Sequence, residues 1–377
     1  MNVWDPLVGQ AGVVSTLKRA IDARDHAMTH AWLITGPPGS GRSVAARGFA
    51  AGLQCSEGGC GTCRSCDMVM AGTHPDLTVV RTEQLSIGVD EVRSLVRKAA
   101  MSPSMGHWQI LIIEDADRVT ERGADALLKS IEEPAAKTVW MLCTPTADDV
   151  ITTVRSRCRT VNLVTPSTSA VTALLEAEGV ATEQAGFAAR VCQGHIGYAR
   201  ALATDSQTRK KRAEILEIPG KLTSLKACLD TAVWAITTAT KDAVAITGPL
   251  DAGERSKLQI ALGMEGSKVP RGGAAAIKEM EEQQGLRTKR FTRDHLDSIL
   301  SELSSFYRDV LMAQTNPGSE PVNLDFAGSI SRIAASTSVQ ATLSRIDSIM
   351  ECRRALATNV TPQLAFEALM VSLAQLD

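Results

Sequence analysis

Residues 36–43 read Gly-Pro-Pro-Gly-Ser-Gly-Arg-Ser and have the spacing of a phosphate-binding loop, except that Arg42 stands where a lysine is expected. In such a loop the glycines let backbone N–H groups surround a phosphate at a helix N-terminus, and the lysine places a compact charge on the transferred phosphate. A guanidinium is planar and larger, so it does not simply replace that charge. The sequence therefore predicts a nucleotide-binding architecture with an altered hydrolysis site.

Two carboxylates directly follow the apolar run at residues 109–113. In phosphate-loop enzymes, carboxylates at the tip of this strand hold Mg²⁺ and orient the attacking water, usually in the order Asp then Glu. Here Glu114 precedes Asp115, which exchanges the two side-chain lengths at a place where geometric tolerance is small. An acidic helix start favoured by the helix dipole is the alternative interpretation.

Four cysteines lie within a twelve-residue segment, at positions Cys55, Cys60, Cys63 and Cys66. Four thiolates with C-x2-C spacing predict a closed, tetrahedral, structural zinc site with no position left for a catalytic water. Free core thiols or a redox pair are the alternatives, but neither explains this clustering. The other five of the nine cysteines are scattered, which is typical of a reduced cytoplasmic protein.

Arg157 belongs to a Ser-Arg-Cys segment that we expect in the turn before the last strand of a sheet. Thr144 is expected at the tip of the preceding strand. An arginine placed in this way can reach across a subunit interface and stabilise the charge of phosphoryl transfer in a neighbouring site. A solvated or ion-paired surface arginine is the alternative.

Strand and helix patterns alternate over the first 164 residues. Short apolar runs predict five strands, at residues 31–35, 77–80, 109–113, 139–144 and 160–163. Because the segments between them have helical periodicity, we expect an α/β domain with a five-stranded parallel sheet. The ligand of such a sheet lies at the carboxyl ends of its strands, where the phosphate loop and the two carboxylates fall.

The rest of the chain has a helical pattern. Turn-forming residues at 165–169 mark a boundary, and glycines interrupt short helices in the segment that follows. Every periodic segment beyond residue 207 is helical, and Thr361 with Pro362 predicts the start of the last helix. Residues 263–273 are rich in glycine and predict a loop or flexible insertion.

Bulk properties limit the class of protein. A chain of 377 residues suggests two or three domains, and a net charge of −2 gives no global sign of nucleic-acid binding. No apolar run approaches the roughly 18 residues of a membrane span. The N-terminus lacks the pattern of a secretory signal, so we expect a cytoplasmic protein.

Two basic stretches, at 209–212 and 287–293, are interpreted as solvated helix faces, with weak phosphate contact as the alternative.

Several independent segments resemble bacterial DNA polymerase III clamp-loader subunits of the AAA+ class. The resemblance covers about residues 1–205 and rests on His30-Ala31-Trp32, the phosphate loop, the four cysteines, Gly72-Thr73-His74-Pro75-Asp76, residues 126–134 and Ser156-Arg157-Cys158. Within this family, the His-Pro-Asp segment and the missing lysine are most similar to the delta-prime subunits. The gamma/tau motor subunits are expected to keep a complete hydrolysis set.

The resemblance also implies roles for individual residues. Val8 would lie near an adenine. Glu114 and Asp115 would occupy the Walker B position, and Thr144 the sensor-1 position. Arg157 would act in trans as the arginine finger of an adjacent motor subunit. The phosphate loop would comprise Gly36, Pro37, Gly39, Ser40, Gly41, Arg42 and Ser43.

A sensor-2 arginine is expected near residues 194–200, but its slot matches Gly197, and Arg200 lies nearly one helical turn further on. This is a third departure, after Arg42 and the inverted carboxylates. The resemblance therefore implies a subunit of the DNA polymerase holoenzyme whose own ATPase is absent or very weak. Structural zinc is the expected cofactor, and binding of ATP with Mg²⁺ is left open.

The implied organisation is an AAA+ P-loop domain over residues 1–164 with a zinc insertion at 55–66, a helical lid over 165–207 and an all-α collar over 208–377. The implied partners are gamma/tau and delta subunits in a hetero-oligomeric ring, the sliding clamp, and primed DNA through the complex. One rival interpretation is an active, gamma/tau-like motor subunit of the same loader. Another is a zinc-containing nucleic-acid-binding regulator with a relic P-loop, against which the near-neutral charge argues.

Overall fold

The computed structural model describes residues 2–22, 28–82, 85–262, 273–358 and 360–374. The chain forms two compact units, residues 1–205 and 206–377. Most of the predicted glycine-rich loop, residues 263–272, lies outside the described residues, and Gly273 begins a helix. None of the helices in the described ranges combines the length and apolar character that crossing a bilayer requires.

A five-stranded parallel sheet in the order β2-β3-β4-β1-β5 forms the centre of the first unit. Its strands are β1 (Ala31–Thr35), β2 (Leu77–Val80), β3 (Gln109–Ile113), β4 (Thr138–Thr144) and β5 (Arg159–Asn162). The five predicted strands are thus confirmed, with shifts of one residue in β4 and β5. Parallel register aligns the ends of β1, β4 and β5, which brings Thr35, Thr144 and Asn162 side by side at the carboxyl edge.

Helices cover both faces of this sheet, so β1, β3 and β4 are buried along their whole length. Alternate residues of β1 enter two different cores: Trp32 and Ile34 pack on one face, Ala31 and Leu33 on the other. The helices of this region are α1 (Ala11–Asp22), α2 (Arg42–Gln54), α3 (Arg64–Met70), α4 (Val89–Ala99), α5 (Glu121–Glu132) and α6 (Thr152–Arg155).

Three short helices complete the first unit: α7 (Thr168–Ala177), α8 (Thr182–Val191) and α9 (Ile196–Thr204). They share a small apolar core of their own, which includes Val171, Leu175 and Leu202. Ser167 caps α7 by accepting a hydrogen bond from the backbone of Ala170 (3.2 Å), so the predicted turn-rich segment ends at a helix start.

The second unit is entirely helical over its described residues. Its helices are α10 (Ser206–Leu216), α11 (Ile218–Lys221), α12 (Leu225–Ala261), α13 (Gly273–Thr315), α14 (Ala327–Ser336), α15 (Val339–Ala357) and α16 (Pro362–Ala374). The helix α12 is 37 residues long and contains Pro249 in its interior, where a sequence argument would place a break. The helix α16 begins at Pro362, as the sequence predicts.

The interpretation of residues 209–212 as a solvated helix face is wrong for Arg212. Its side chain is only 1% exposed and pairs with Asp325 (2.7 Å) and Glu302 (3.4 Å). Asn323 accepts a further hydrogen bond from the same guanidinium. Burying a guanidinium is tolerated only with such partners, so this arginine joins α10 to the end of α13 and the segment after it.

The same interpretation is wrong for Arg287 and Arg290 of the second basic stretch, whereas Lys289 between them is exposed. Arg287 of α13 is buried and pairs with Asp251 (2.8 Å) and Glu254 (2.6 Å) of α12. Arg290 is also buried and pairs with Asp294 (3.5 Å) on its own helix. Arg287 therefore stabilises the packing of α12 against α13, and the ion pair of Arg290 with Asp294 lies within α13.

Candidate nucleotide and zinc sites

The phosphate loop connects the end of β1 to the start of α2. Gly39 (φ +78°) and Gly41 (φ +99°) have left-handed backbone conformations that side chains with a Cβ rarely adopt. The backbone N–H of Gly36 donates to the carbonyl of Pro145 (3.1 Å), which fixes the loop to the residue after β4. The local sequence therefore forms the predicted loop at the carboxyl edge of the sheet.

Arg42 turns back onto its own loop. Its Nη1 donates to the carbonyl oxygen of Gly36 at 2.8 Å. Burial lowers the pKa of Arg42, while Cys143 and the carboxyls of Asp117 and Asp115 act in the opposite direction. The guanidinium of Arg42 thus lies near the carboxylates that follow β3. One of its N–H groups is already bonded to the backbone oxygen of Gly36.

Glu114 is held by an arginine of α2. Its Oε1 lies 3.0 Å from Nη2 of Arg47, and its side chain is only 8% exposed. The predicted Walker B pair therefore lies beside the phosphate loop, but the charge of Glu114 is neutralised within the chain. Nearby, burial raises the pKa of Asp117.

Thr144 lies at the end of β4, next to Thr35 at the end of β1, as the sequence predicts for the sensor-1 position. Its side chain is fully buried, and its hydroxyl donates to the carbonyl of Thr146 at 3.0 Å. The structure thus brings the phosphate loop, Glu114, Asp115 and Thr144 together at one edge of the sheet.

His195, which the sequence reasoning did not single out, covers the phosphate loop. It caps α9 by accepting a hydrogen bond from the backbone of Tyr198 (3.0 Å), and the N–H of Ile196 donates to the carbonyl of Gly39 (3.4 Å). A Cβ atom at Gly39 would lie 2.2 Å from Cγ of His195, so only glycine fits there. The signal that could have found it is a histidine at a helix N-cap, two residues before the sensor-2 slot.

Gly197 of α9, which the resemblance assigns to the sensor-2 slot, supplies no charge. Arg200, one turn further along, pairs with both carboxylate oxygens of Glu178 at the end of α7. Arg200, the arginine nearest to Gly197 in the sequence, is therefore already paired with a carboxylate of the α7–α9 region.

A cavity of about 290 Å³ lies beside α1 and β5. Its lining includes Gly9, Gln10 and Asn162, and Val8 directly precedes it in the chain. The side-chain amide of Gln10 pairs twice with the backbone of Val164, donating to its oxygen (2.6 Å) and accepting from its nitrogen (3.1 Å). This cavity occupies the region where the resemblance puts an adenine.

The four clustered cysteines converge on one point. Their sulfur atoms all lie within 4.8 Å of one another, and Sγ of Cys55 is 3.7 Å from those of Cys60 and Cys63. A tetrahedral zinc ion with Zn–S bonds of about 2.3 Å separates its sulfur ligands by about 3.8 Å. Cys55, Cys60, Cys63 and Cys66 therefore have the geometry to hold zinc.

Thiolate formation is favoured at one of these ligands, because hydrogen bonds from the backbone and hydroxyl of Thr62 lower the pKa of Cys60 to about 6. The cysteine segment packs against the N-terminus: Nε1 of Trp4 donates to the carbonyl of Gly58 at 3.3 Å. A Cβ atom at Gly59 would lie 2.6 Å from the side chain of Val3, so the two segments are in close contact.

Arg157 lies in the turn between α6 and β5, as predicted. Because β5 runs parallel to β1, the residues before β5 lie at the opposite edge of the sheet from the phosphate loop. The side chain is 40% exposed, its Nη2 is 2.5 Å from Oε1 of Glu132, and its Nη1 donates to the carbonyl of Thr153 at 2.8 Å. Arg157 therefore lies at the opposite edge of the sheet from the candidate nucleotide site.

Two family profiles match the chain. The family described as "DNA polymerase III, delta subunit" matches residues 9–167, and "DNA polymerase III, delta subunit, C terminal" matches residues 283–375. Together, these matches support a clamp-loader subunit of DNA polymerase III. The parallel sheet with its phosphate loop and the separate all-helical unit agree with the AAA+ architecture expected from the sequence.

Individual relatives include two kinds of subunit. The DNA polymerase III subunit delta' of Pseudomonas aeruginosa is 38% identical over 135 residues, which cover 34% of this chain and 41% of that protein. The gamma/tau subunit of Mycobacterium tuberculosis is 33% identical over 190 residues, 48% of this chain and 32% of that protein. The chain thus matches less than half the length of either relative. A gamma subunit-related protein from Thermotoga maritima aligns over 92% of this chain and 99% of its own, at 18% identity and a TM-score of 0.34.

Proposed function

We propose that this chain is a delta-prime subunit, which braces the clamp loader while motor subunits hydrolyse ATP. In this role it would help to load the sliding clamp on primed DNA and would donate Arg157 to the ATP site of an adjacent subunit. The observation that carries the proposal is the contrast between the two edges of the sheet. In the chain's own candidate nucleotide site, Arg42 bonds to the loop and Glu114 is buried against Arg47, whereas Arg157, paired with Glu132, is 40% exposed at the opposite edge.

In the chain's own candidate site, the groups that phosphoryl transfer needs are altered or already paired. Arg42 donates to Gly36 and Glu114 is paired with Arg47, so neither is free for a phosphate or a metal ion. His195 packs on Gly39, and Gly197 supplies no sensor-2 charge. Loss of a single stabilising donor commonly costs about 10²- to 10³-fold in rate. Several such losses together favour a subunit without useful ATPase activity.

The zinc ion is proposed as a structural element of this subunit. Held by four cysteines it would have no open coordination position, so it would stabilise the fold without taking part in hydrolysis. The cysteine segment that would hold it contacts Trp4 and Val3 near the N-terminus.

Assembly through the second unit is supported by an apolar outer face on α16. Leu364 is 61% exposed and Val371 is 36% exposed, and Ala368 lies exposed between them on the same stripe. A further exposed apolar stripe, Leu225, Leu229 and Val233, lies on α12, which packs against α16. Exposed apolar surface of this kind is typical of a subunit interface, which fits the proposed collar.

The proposal is tested by combining the purified chain with the gamma/tau and delta subunits of the same organism. We expect a stable complex by size-exclusion chromatography and light scattering, and a DNA-stimulated ATPase that exceeds that of the motor subunits alone. The isolated chain should contribute no turnover of its own. Absence of a complex at micromolar concentrations would contradict the proposal.

A second candidate function is that of an active motor subunit, because gamma/tau subunits are among the relatives. It predicts ATP hydrolysis by the isolated chain or its homo-oligomer. A turnover near 1 s⁻¹, within the range usual for enzymes of about 1–10³ s⁻¹, would favour this function over the first.

A further inference from the structure

Two different elements hold the guanidinium of Arg157. Glu132, the last residue of α5, approaches Nη2 (2.5 Å), and the carbonyl of Thr153 in α6 accepts from Nη1 (2.8 Å). The hydroxyl of Ser156 accepts from the same Nη1 at 3.3 Å. Contacts at two nitrogens fix the plane of a fork-shaped group, whereas contacts at one nitrogen alone leave it free to rotate.

The end of α5 that carries Glu132 is itself anchored to the sheet. His30 donates from Nε2 to the carbonyl of Ile131 at 2.6 Å, because a carbonyl oxygen can only accept. The carbonyl of His30 in turn accepts from the backbone of Trp140 in β4 at 2.7 Å. Pro134 then prevents the helix from continuing. The position of Glu132 is therefore set by the sheet and does not depend on Arg157.

Stability does not account for this ion pair. The side chains of Arg157 and Glu132 are 40% and 45% exposed, and an exposed pair contributes only about 0–1 kcal/mol. The contacts also leave some N–H donors of the guanidinium unused. The geometry thus orients a surface arginine at little benefit to folding.

We propose that Glu132 is a positioning residue for Arg157, and this inference rests on the proposed function of Arg157. By fixing the plane of the guanidinium, Glu132 directs the unused N–H donors away from the surface, toward an anionic phosphate held by a neighbouring subunit. Its negative charge partly offsets the charge of the arginine, so orientation and charge act in opposite directions. Orientation dominates because a misplacement of about 1 Å can cost about 10²-fold in rate, whereas an exposed charge pair is weak and screened.

The test uses the reconstituted loader with Glu132→Ala, Glu132→Gln and the neighbouring Glu133→Ala as a matched control. We expect Glu132→Ala to lower the kcat of ATP hydrolysis by about tenfold with little change in KM, because misorientation acts on the transition state. Glu132→Gln should keep most of the rate, since its amide oxygen still accepts the hydrogen bond. Glu133→Ala should be unchanged, and all three complexes should assemble normally.

The Arg157→Ala background separates the possible outcomes. If Glu132 acts through Arg157, Glu132→Ala causes no further loss in that background; an additive loss would overturn the inference. Unchanged or faster hydrolysis by Glu132→Ala, in a loader where Arg157→Ala is slow, would overturn this inference alone. If Arg157→Ala itself has no effect, the proposed function of Arg157 fails first.

Discussion

Single residues determine what the candidate nucleotide site of this chain can bind. Arg42 and Glu114 occupy the positions that the sequence predicts, but each bonds to another group of the same chain. A side chain that already has an internal partner must break that bond before it can bind a phosphate or a metal ion. Restoring one residue type therefore does not restore the site.

Arg42→Lys in the isolated chain should not produce measurable ATPase activity. Lysine supplies the compact charge, but Glu114 remains paired with Arg47 and Gly197 still lacks a guanidinium. We expect less than about 0.1 s⁻¹ in a steady-state assay with primed DNA, below the usual enzyme range of about 1–10³ s⁻¹. The motor subunit of the same organism is the positive control. A turnover near about 1 s⁻¹ by this variant would show that the lysine alone was missing.

Asp76, from the His-Pro-Asp segment, has a structural role that the sequence did not reveal. It accepts hydrogen bonds from the backbones of Ser104 (2.6 Å), Met105 (2.8 Å) and Gly106 (2.6 Å), and from the Ser104 hydroxyl (2.7 Å). Burial alone would raise the pKa of Asp76, but these hydrogen bonds outweigh it and lower the pKa to about 2. The carboxylate thus holds the loop before β3.

Asp76→Asn should lower the free energy of unfolding by about 2–4 kcal/mol, because an amide opposes one N–H with its own donor and loses the charge. In the native protein the folded-state pKa lies below the ordinary value of 3.8, so this stabilisation is present above pH 4 and is lost as the pH falls toward 2. Urea denaturation between pH 7 and pH 3 would measure both effects. Asp90→Asn, at an exposed carboxylate, should change little, and equal stabilities of the two variants would contradict this account.

Among the elements, the cysteine segment lies between α2 and α3 and contacts the N-terminal residues. Cys63 caps α3, and Gly58 and Gly59 contact Trp4 and Val3. A metal ion bound by the four sulfurs should therefore stabilise the start of α3 and the N-terminal residues as well as its own loop.

The purified chain should contain one zinc per molecule, and Cys63→Ser should lose it. Hydrogen exchange should then increase in residues 55–66 and in the first residues of the chain, while the sheet stays protected, because the insertion lies outside the core strands. Cys158→Ser, outside the cluster, should retain zinc. Protein purified without chelator that contains no zinc by elemental analysis would rule out the site.

The elements also show why sequence reasoning succeeds in one place and fails in another. Strands β1, β3 and β4 follow from short apolar runs, because a central parallel strand must be apolar on both faces. The edge strand β5 has only one buried residue, Val161, so its pattern is weaker. The sequence does not reveal that Arg212 and Arg287 are buried, because their acidic partners lie far away in the sequence or on another helix. The sequence does not reveal the contact of His195 with Gly39 for the same reason. Periodicity predicts which face of a helix or strand is buried, but it does not predict which other element packs against that face.

At the scale of the whole molecule, the chain combines an α/β unit with an all-helical unit. The outer stripe of α16 is apolar and exposed, and its neighbours on the buried face already fill the core. If the second unit forms the collar, charging this stripe should weaken assembly without unfolding the chain.

Leu364→Glu with Val371→Glu should reduce complex formation with the other loader subunits by at least about tenfold in Kd, since loss of a buried apolar side chain costs about 1.5–3 kcal/mol. Its melting temperature should stay close to that of the native chain. Ala335→Glu, at an exposed position of α14, is the matched control. Normal assembly of the double variant would place the interface elsewhere.

We propose that this chain stimulates hydrolysis in a neighbouring subunit through Arg157 and hydrolyses no ATP itself. The most direct test compares DNA-stimulated ATPase in loaders reconstituted with native chain, Arg157→Ala and Arg155→Ala, the last being a nearby arginine paired with Asp148. We predict that Arg157→Ala assembles normally but lowers turnover at the site it serves by on the order of 10³-fold, and that Arg155→Ala is unchanged. The loss measured over the whole complex is smaller where other sites keep their own arginines. A fully active loader containing Arg157→Ala would contradict the account.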